Sequence, residues 1–149
     1  MELKSEKAVK LFKEGYNCAQ SVFCAFCEEL NIDFETGLKL SSSFGGGMGR
    51  LREVCGAVTA MFMIAGLKYG YITPDDDIQK GKHYKLIQDL AEEFKQKYKT
   101  IICREILGLE PGKDRPEPSK RTEEYYKTRP CENCILTAAN IITKHLLNN

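Results

Sequence analysis

The segment from Cys55 to Leu67 carries no charged residue on any face, and this constrains the fold more than any other feature of the chain. The apolar stretch is too short to cross a bilayer, which needs about 20 residues. A helix that is hydrophobic all round must instead be enclosed by other elements of the protein. The sequence therefore predicts a buried central helix over 52–69, with the rest of the chain packed around it.

Apolar residues recur at helical spacing along almost the whole chain, as in Ala8, Leu11 and Phe12, and no run alternates as a strand would. We therefore predict an all-α protein, a single compact helical bundle of about six or seven helices. The length is typical of one domain, so residues 1–149 are expected to form a single unit. The prolines and glycine between 110 and 120 predict a loop. The predicted helices span 4–14, 17–30, 34–41, 52–69, 75–99, 102–108 and 132–147.

The charge balance limits the classes of partner. Lysine and arginine nearly equal aspartate and glutamate, with a formal net charge of +1, which argues against nucleic-acid binding. The first 15 residues are rich in charge and lack the apolar core of a signal peptide. We therefore expect a cytoplasmic protein with no membrane span. Apolar faces on 34–41 and on the last helix are compatible with a homodimer.

Seven cysteines are present, and most of them stand where a predicted helix begins. A thiol at a helix N-terminus lies near free backbone N–H groups and the positive end of the helix dipole, which favour the thiolate. In a reducing compartment, many cysteines indicate redox cycling or metal ligation rather than permanent disulfides. The cysteines at predicted helix starts are Cys18, Cys55, Cys103 and the pair Cys131 and Cys134.

Two C-x-x-C spacings occur, in different settings. The spacing from Cys131 to Cys134 follows Pro130 at the start of the last helix, which is typical of a reactive dithiol or a metal ligand pair. The spacing from Cys24 to Cys27 falls inside a predicted helix, so these two cysteines are expected to be small buried hydrophobes.

Four motifs occur in an order that resembles one known family. They are Gly15-Tyr16-Asn17-Cys18-Ala19-Gln20, Phe44-Gly45-Gly46-Gly47-Met48-Gly49-Arg50, Glu53-Val54-Cys55-Gly56-Ala57 and Gly66-Leu67-Lys68-Tyr69-Gly70. Together they resemble the C_GCAxxG_C_C family of small redox-active proteins. The resemblance implies four functional thiols at Cys18, Cys55, Cys103 and one of the last pair, of which Cys131 is the better match. The chain departs from the family pattern at Ala60, where the pattern has glycine, and in the additional Cys134.

Two kinds of chemistry suit these thiols, and the sequence does not choose between them. One is thiol–disulfide exchange or electron transfer with a partner protein or a small molecule, which would make the chain a thiol-dependent oxidoreductase. The other is a zinc or iron–sulfur site held by Cys18, Cys55, Cys103 and Cys131. A third possibility is that the cysteines only pack. For exchange, Cys55 is the preferred nucleophile because it follows two arginines, with Cys131 or Cys134 as its resolving partner.

Glycines precede the central helix and offer a further candidate site. Backbone N–H groups of such a segment can wrap an anion or a cofactor, although a tight turn that delivers Cys55 is the favoured explanation. Its spacing does not match a dinucleotide-binding loop. His83 and His145 are expected at solvated positions. The candidate cofactor-binding residues are Gly45, Gly46, Gly47, Gly49 and Gly56.

Overall fold

A computed structural model describes residues 2–147 of the chain. Within these residues the structure is helical, apart from loops and one isolated antiparallel bridge between Val54 and Ile102. The all-α class is confirmed. The helical segments are α1 (Lys4–Lys13), α2 (Cys18–Ala25), α3 (Phe34–Ser42), α4 (Gly45–Met48), α5 (Gly56–Tyr69), α6 (Asp77–Tyr98), α7 (Cys103–Leu107), α8 (Glu123–Thr128) and α9 (Cys131–Leu147).

Helix α5 is the predicted central helix, and it packs against α2, α6 and α9. Its side chains are buried on all faces over the first turns, as the absence of charge predicts. The helix begins at Gly56 rather than at residue 52. Arg52 has a φ of 61°, and Val54 pairs with Ile102, so neither residue is available to the helix. None of the described helices is long and apolar enough to cross a membrane.

Helix α2 is shorter than the predicted range 17–30. It ends at Ala25, and the chain continues through tight turns to Asn31, which has a φ of 57°. The apolar spacing that suggested a longer helix also fits these turns, because Phe26 and Cys27 remain buried. Each of the other predicted helices has a counterpart whose limits agree within about two residues, apart from the start of α5. The short segments α4 and α8 were not predicted.

Large apolar side chains from α2, α5 and α9 form the centre of the core. Phe23, Met61, Ile64, Ile135 and Ile142 are all fully buried. Burial of a side chain of this size stabilises the fold by about 1.5–3 kcal/mol relative to exposure. Helix α3 lies at the edge, where Phe34 and Leu40 are exposed, and the homodimer stays a prediction.

Helix α3 contacts the cysteines of the first C-x-x-C at Gly37. Cys24 and Cys27 are buried and their thiols are hydrogen-bonded to each other, as expected for packed residues, although Cys27 lies beyond the end of α2. A Cβ on Gly37 would overlap the sulfur of Cys27 and lie 3.1 Å from that of Cys24. Glycine at this position therefore allows α3 to approach α2 closely.

We expect Gly37→Ala to lower the free energy of unfolding by about 1–3 kcal/mol, because overpacking a buried contact forces its neighbours to move. Urea denaturation measures the change. Gly81→Ala is the matched control, since Gly81 is exposed within α6 and nothing lies within 4 Å of its Cβ position. That substitution should stabilise by about 0.5–1 kcal/mol through helix propensity. Equal effects of the two substitutions would contradict the close approach at Gly37.

Candidate functional site

Five of the seven cysteines line one cavity with a volume of about 300 Å³. The walls also include the start of α5, the ends of α7 and α8, and the loop that joins α7 to α8. The two remaining cysteines lie between α2 and α3, away from the cavity. The cavity therefore brings together the whole set of cysteines that the sequence placed at helix starts. They are Cys18, Cys55, Cys103, Cys131 and Cys134.

The helix starts place these thiols as the sequence predicted. Cys18, Cys103 and Cys131 are the first residues of α2, α7 and α9, and Cys55 is the N-cap of α5. Cys134 follows one turn into α9, where it is only 2% exposed. The start of α2 is fixed by Asn17, whose side chain accepts a hydrogen bond of 2.9 Å from the backbone of Gln20.

Backbone pairing between residues 52–55 and 101–104 aligns two of the thiols. The N–H of Cys55 donates to the carbonyl of Ile101 at 2.8 Å, and the N–H of Cys103 donates to the carbonyl of Glu53 at 2.6 Å. These bonds lie on either side of the bridge between Val54 and Ile102. The pairing brings the starts of α5 and α7 together and directs both thiols to the same cavity.

A left-handed turn, residues 46–50, leads into this pairing. All five residues have φ between 59° and 69°, although only Gly46, Gly47 and Gly49 are glycines. For Met48 and Arg50 such a conformation costs on the order of 1–2 kcal/mol each. The carbonyl of Gly47 accepts a 2.9 Å hydrogen bond from Glu53, which holds the turn against the paired segment.

The candidate cofactor-binding glycines divide into three groups. Gly45, Gly46 and Gly56 line the cavity. Gly47 is buried behind the wall, where a Cβ would lie 2.6 Å from the Cβ of Cys103, and Gly49 is exposed away from the cavity. At Gly56 an added Cβ would lie 2.5 Å from the sulfur of Cys18. The glycines thus allow the backbone to pack against the thiols, and their part in binding a cofactor stays a prediction.

A single carboxylate connects the left-handed turn to the covering loop, which we define as residues 109–122 between α7 and α8. Asp114 accepts hydrogen bonds from Arg50 at 3.1 Å and from Arg52 at 2.9 Å. Its backbone N–H donates to the carbonyl of Arg50 at 2.8 Å. The arginines hold the pKa of Asp114 below its ordinary value, with the hydrogen bond from Arg52 as the largest cause.

Arg52 contacts a different thiol from the one expected. Its guanidinium lies 3.5 Å from the sulfur of Cys103, whereas the order of residues along the chain predicts that the two arginines lie beside Cys55. The reason is the positive φ of Arg52, which turns its side chain toward α7 and the covering loop. Cys103 is therefore the cavity thiol whose thiolate has a guanidinium partner in the described residues.

Burial dominates the acidity of the cavity thiols. It raises the pKa of Cys18 and that of Cys131 to about 12. The pKa of Cys55 is raised well above its ordinary value by a hydrogen bond with the thiol of Cys134 and by burial. Burial also raises the pKa of Cys103, and the hydrogen bond from Arg52 partly opposes this effect. These four thiols are thus protonated at neutral pH.

Helix N–H groups lower the pKa of these thiols, as the sequence analysis assumed, but the effect is the smaller one. The backbone N–H groups of Ala57 and Val58 favour the thiolate of Cys55, and that of Ala19 favours the thiolate of Cys18. The helix starts therefore favour the thiolates without making them the resting form, because removing a thiolate from water costs more than these hydrogen bonds return.

A metal site depends on both the kind and the spacing of its donors. The four predicted ligands Cys18, Cys55, Cys103 and Cys131 share the cavity, and thiolates suit zinc or an iron–sulfur cluster. Within residues 2–147, however, no group of three or more His, Cys, Asp or Glu side chains is arranged to hold a metal ion. The donors therefore fit in type and number but not in the spacing of the structure.

Several residues of the cavity and its surroundings carry no signal in the cysteine motifs. Arg121 and Arg129 line the cavity, and Asp114 pairs with two other arginines of its wall, although no motif singles out these three residues. The sequence signal for Arg129 was its place two residues before Cys131 at a helix start. The two histidines lie elsewhere, with the ring of His83 against Tyr71 and His145 paired with Glu93.

One comparison with known proteins found a match. A family model described as "Putative redox-active protein (C_GCAxxG_C_C)" matches residues 16–145. The matched range contains all seven cysteines, the left-handed turn and the covering loop. No curated protein and no solved structure matches the chain. The resemblance carried by the cysteine motifs is thus confirmed at the level of the family.

The raised thiol pKa values predict that stability falls at alkaline pH. The pKa of Cys18 and Cys131 is higher in the folded state than the value of about 8.5 in an unfolded chain, so their contribution is complete below that pH and is lost as the pH rises toward 12. We expect a decline of at most about 1.4 kcal/mol per pH unit for each thiol.

Urea denaturation between about pH 7 and 11, under reducing conditions, measures this slope. Cys18→Ser and Cys131→Ser should each make the slope shallower. Ser42→Ala, which changes a residue of the cavity wall that is not a thiol, should keep the wild-type slope. If all three variants follow the wild-type curve, burial does not control the acidity of these thiols.

Proposed function

Because the chain belongs to the C_GCAxxG_C_C family of putative redox-active proteins, we propose that it carries out thiol–disulfide exchange through its cavity thiols. One observation supports this most directly, namely that five cysteines from four helices line the same cavity. Reduction of a disulfide takes two electrons and needs two thiols within reach of each other. The cavity supplies such thiols, whereas an isolated buried cysteine would not.

Cys55 and Cys134 are the proposed reactive pair. The thiol of Cys134 is the largest cause of the raised pKa of Cys55, so the two thiols are close to each other across the interface between α5 and α9, and both line the cavity. Their exposed fractions are 7% and 2%, so the helices hold them in place and a substrate must enter the cavity to reach them. Of the two resolving partners considered from the sequence, the contact favours Cys134 over Cys131.

The proposed reaction balances over these two residues. A thiolate of the pair attacks one sulfur of a substrate disulfide, and the substrate S–S bond breaks. One half of the substrate is released as a thiol, and the other half stays bound to the protein as a mixed disulfide. The other cysteine attacks the protein sulfur of that mixed disulfide, which forms the Cys55–Cys134 disulfide and releases the second substrate thiol. Two electrons pass from the cysteines to the substrate, and the two cysteine protons end on the released thiols.

The raised pKa of Cys55 sets the pH dependence of this reaction. A protonated thiol does not attack, so the rate depends on the small fraction that is thiolate. The rate of disulfide exchange should therefore still rise with pH in the range in which the exchange rate of a free thiol of ordinary pKa no longer changes. Arg52 and Cys103 lie in the same cavity and supply the one guanidinium-to-thiol contact within the described residues.

The test is a thiol count combined with disulfide mapping. Protein purified without oxygen is assayed for iron, zinc and sulfide, then treated with excess 2-hydroxyethyl disulfide. We expect the wild type to lose two of its seven thiols and to yield a peptide that links Cys55 to Cys134. Cys134→Ser should stop at a mixed disulfide on Cys55. Cys131→Ser, a change at the same helix start, should still form the internal disulfide.

Two results would contradict the proposal. If all seven thiols survive the treatment, the cysteines do not exchange with disulfides. If the protein instead carries stoichiometric metal that is lost in both Cys55→Ser and Cys103→Ser, the cavity is a metal site, which is the alternative that the cysteine pattern leaves open. A disulfide that maps to another pair would overturn the assignment of Cys134 while leaving thiol exchange in place.

A further inference from the structure

Four arginines line the cavity beside the cysteines, and among residues 2–147 no carboxylate or lysine lines its wall. They come from three parts of the chain, namely the left-handed turn and its exit, the covering loop, and the end of α8. Asp114, behind the wall, is the one acidic residue paired with any of them in the described residues. The wall thus has a strong excess of positive charge. The four arginines are Arg50, Arg52, Arg121 and Arg129.

Three of these arginines use their guanidinium groups to hold the structure. Arg50 donates to Asp114, to Ser119 and to the carbonyl of Arg115. Arg52 donates to Asp114 and Cys103. The guanidinium of Arg121 donates to the carbonyls of Phe12 at 2.9 Å and Tyr16 at 3.0 Å, at the end of α1.

Arg129 differs because its guanidinium has no hydrogen-bond acceptor among residues 2–147. The guanidinium carbon lies 5.4 Å from the centre of the Tyr125 ring, which holds the side chain against the cavity wall without occupying its N–H donors. Its positive charge lowers the pKa of both Cys103 and Cys131, so its electrostatic effect reaches the part of the cavity that these two thiols line. A half-buried guanidinium with free donors is well suited to bind a carboxylate or a similar anion.

We infer that Arg129 binds the negatively charged group of the substrate, and that the substrate of the cavity thiols is a small anionic disulfide. This inference rests on the proposed thiol exchange. A volume of about 300 Å³ suits a small molecule. The proposed reactive thiols of Cys55 and Cys134, with exposed fractions of 7% and 2%, are beyond the reach of a disulfide on a folded partner's surface. The anionic group would be bound at Arg129 while the S–S bond lies against the neighbouring thiols.

Three small disulfides that differ in charge test the inference. Dithiodiglycolate carries two carboxylates, 2-hydroxyethyl disulfide is neutral, and cystamine carries two ammonium groups. The rate of thiol loss is measured for each at low ionic strength and divided by the rate with free 2-mercaptoethanol, which removes differences in intrinsic reactivity. We expect the normalised rates to fall in the order anionic, neutral, cationic, because the positive wall concentrates anions.

Arg129→Gln should reduce the normalised rate with dithiodiglycolate about tenfold and leave the rate with the neutral disulfide within about twofold, since a charge-assisted contact is lost. Arg129→Lys keeps the charge and should retain much of the preference. Arg115→Gln is the matched control, because it removes the same charge from an exposed residue that does not line the cavity. Equal rates for the three disulfides in the wild type would overturn the inference.

A binding measurement separates failure of this inference from failure of thiol exchange. Thiodiglycolate has the same two carboxylates but a thioether in place of the S–S bond, so it can bind without reacting. Calorimetry should show binding to the wild type and to Arg115→Gln, and none to Arg129→Gln. Binding without any disulfide reaction would support the anion site and refute thiol exchange. Reaction without binding or charge preference would refute the anion site alone.

Discussion

A short backbone pairing determines where two of the cavity thiols lie. Residues 52–55 and 101–104 precede α5 and α7, and the hydrogen bonds between them bring two helix N-termini to one point. Helix packing alone would leave the rotation and offset of each helix adjustable by side-chain repacking. Paired backbone groups fix both, so Cys55 and Cys103 face the same cavity whichever rotamers the surrounding side chains adopt.

The site balances two opposing physical effects. Helix N-termini and arginines favour thiolates, whereas burial and, for Cys55, the interaction with the thiol of Cys134 favour neutral thiols. The effects that favour neutral thiols prevail for the four thiols whose pKa is raised. The cavity therefore contains protonated thiols beside a wall of positively charged arginines. An incoming anion meets attraction from the wall without repulsion from the cysteines, which would not hold if the thiols were ionised at rest.

The sequence predicts those parts of the site that depend on local signals. Asn17 before Cys18 and Pro130 before Cys131 mark helix starts within a few residues, and the uncharged stretch after Cys55 can only be central. The left-handed conformation of Met48 depends instead on packing that no local pattern encodes. The partnership of Asp114 with Arg52 spans 62 residues, and its charges look like any solvated pair until the covering loop is placed.

Several attachments of the covering loop depend on one residue, Asp114. The same residue pairs with two guanidinium groups and, through its backbone, with the carbonyl of Arg50, so all of these attachments meet at one point. If this part of the loop detached, all three hydrogen bonds would break together. Arg50 and Arg52 would then lose the counter-ion that they share. Loss of this one carboxylate would therefore separate the loop from both arginines at once and leave two unneutralised positive charges beside the cavity.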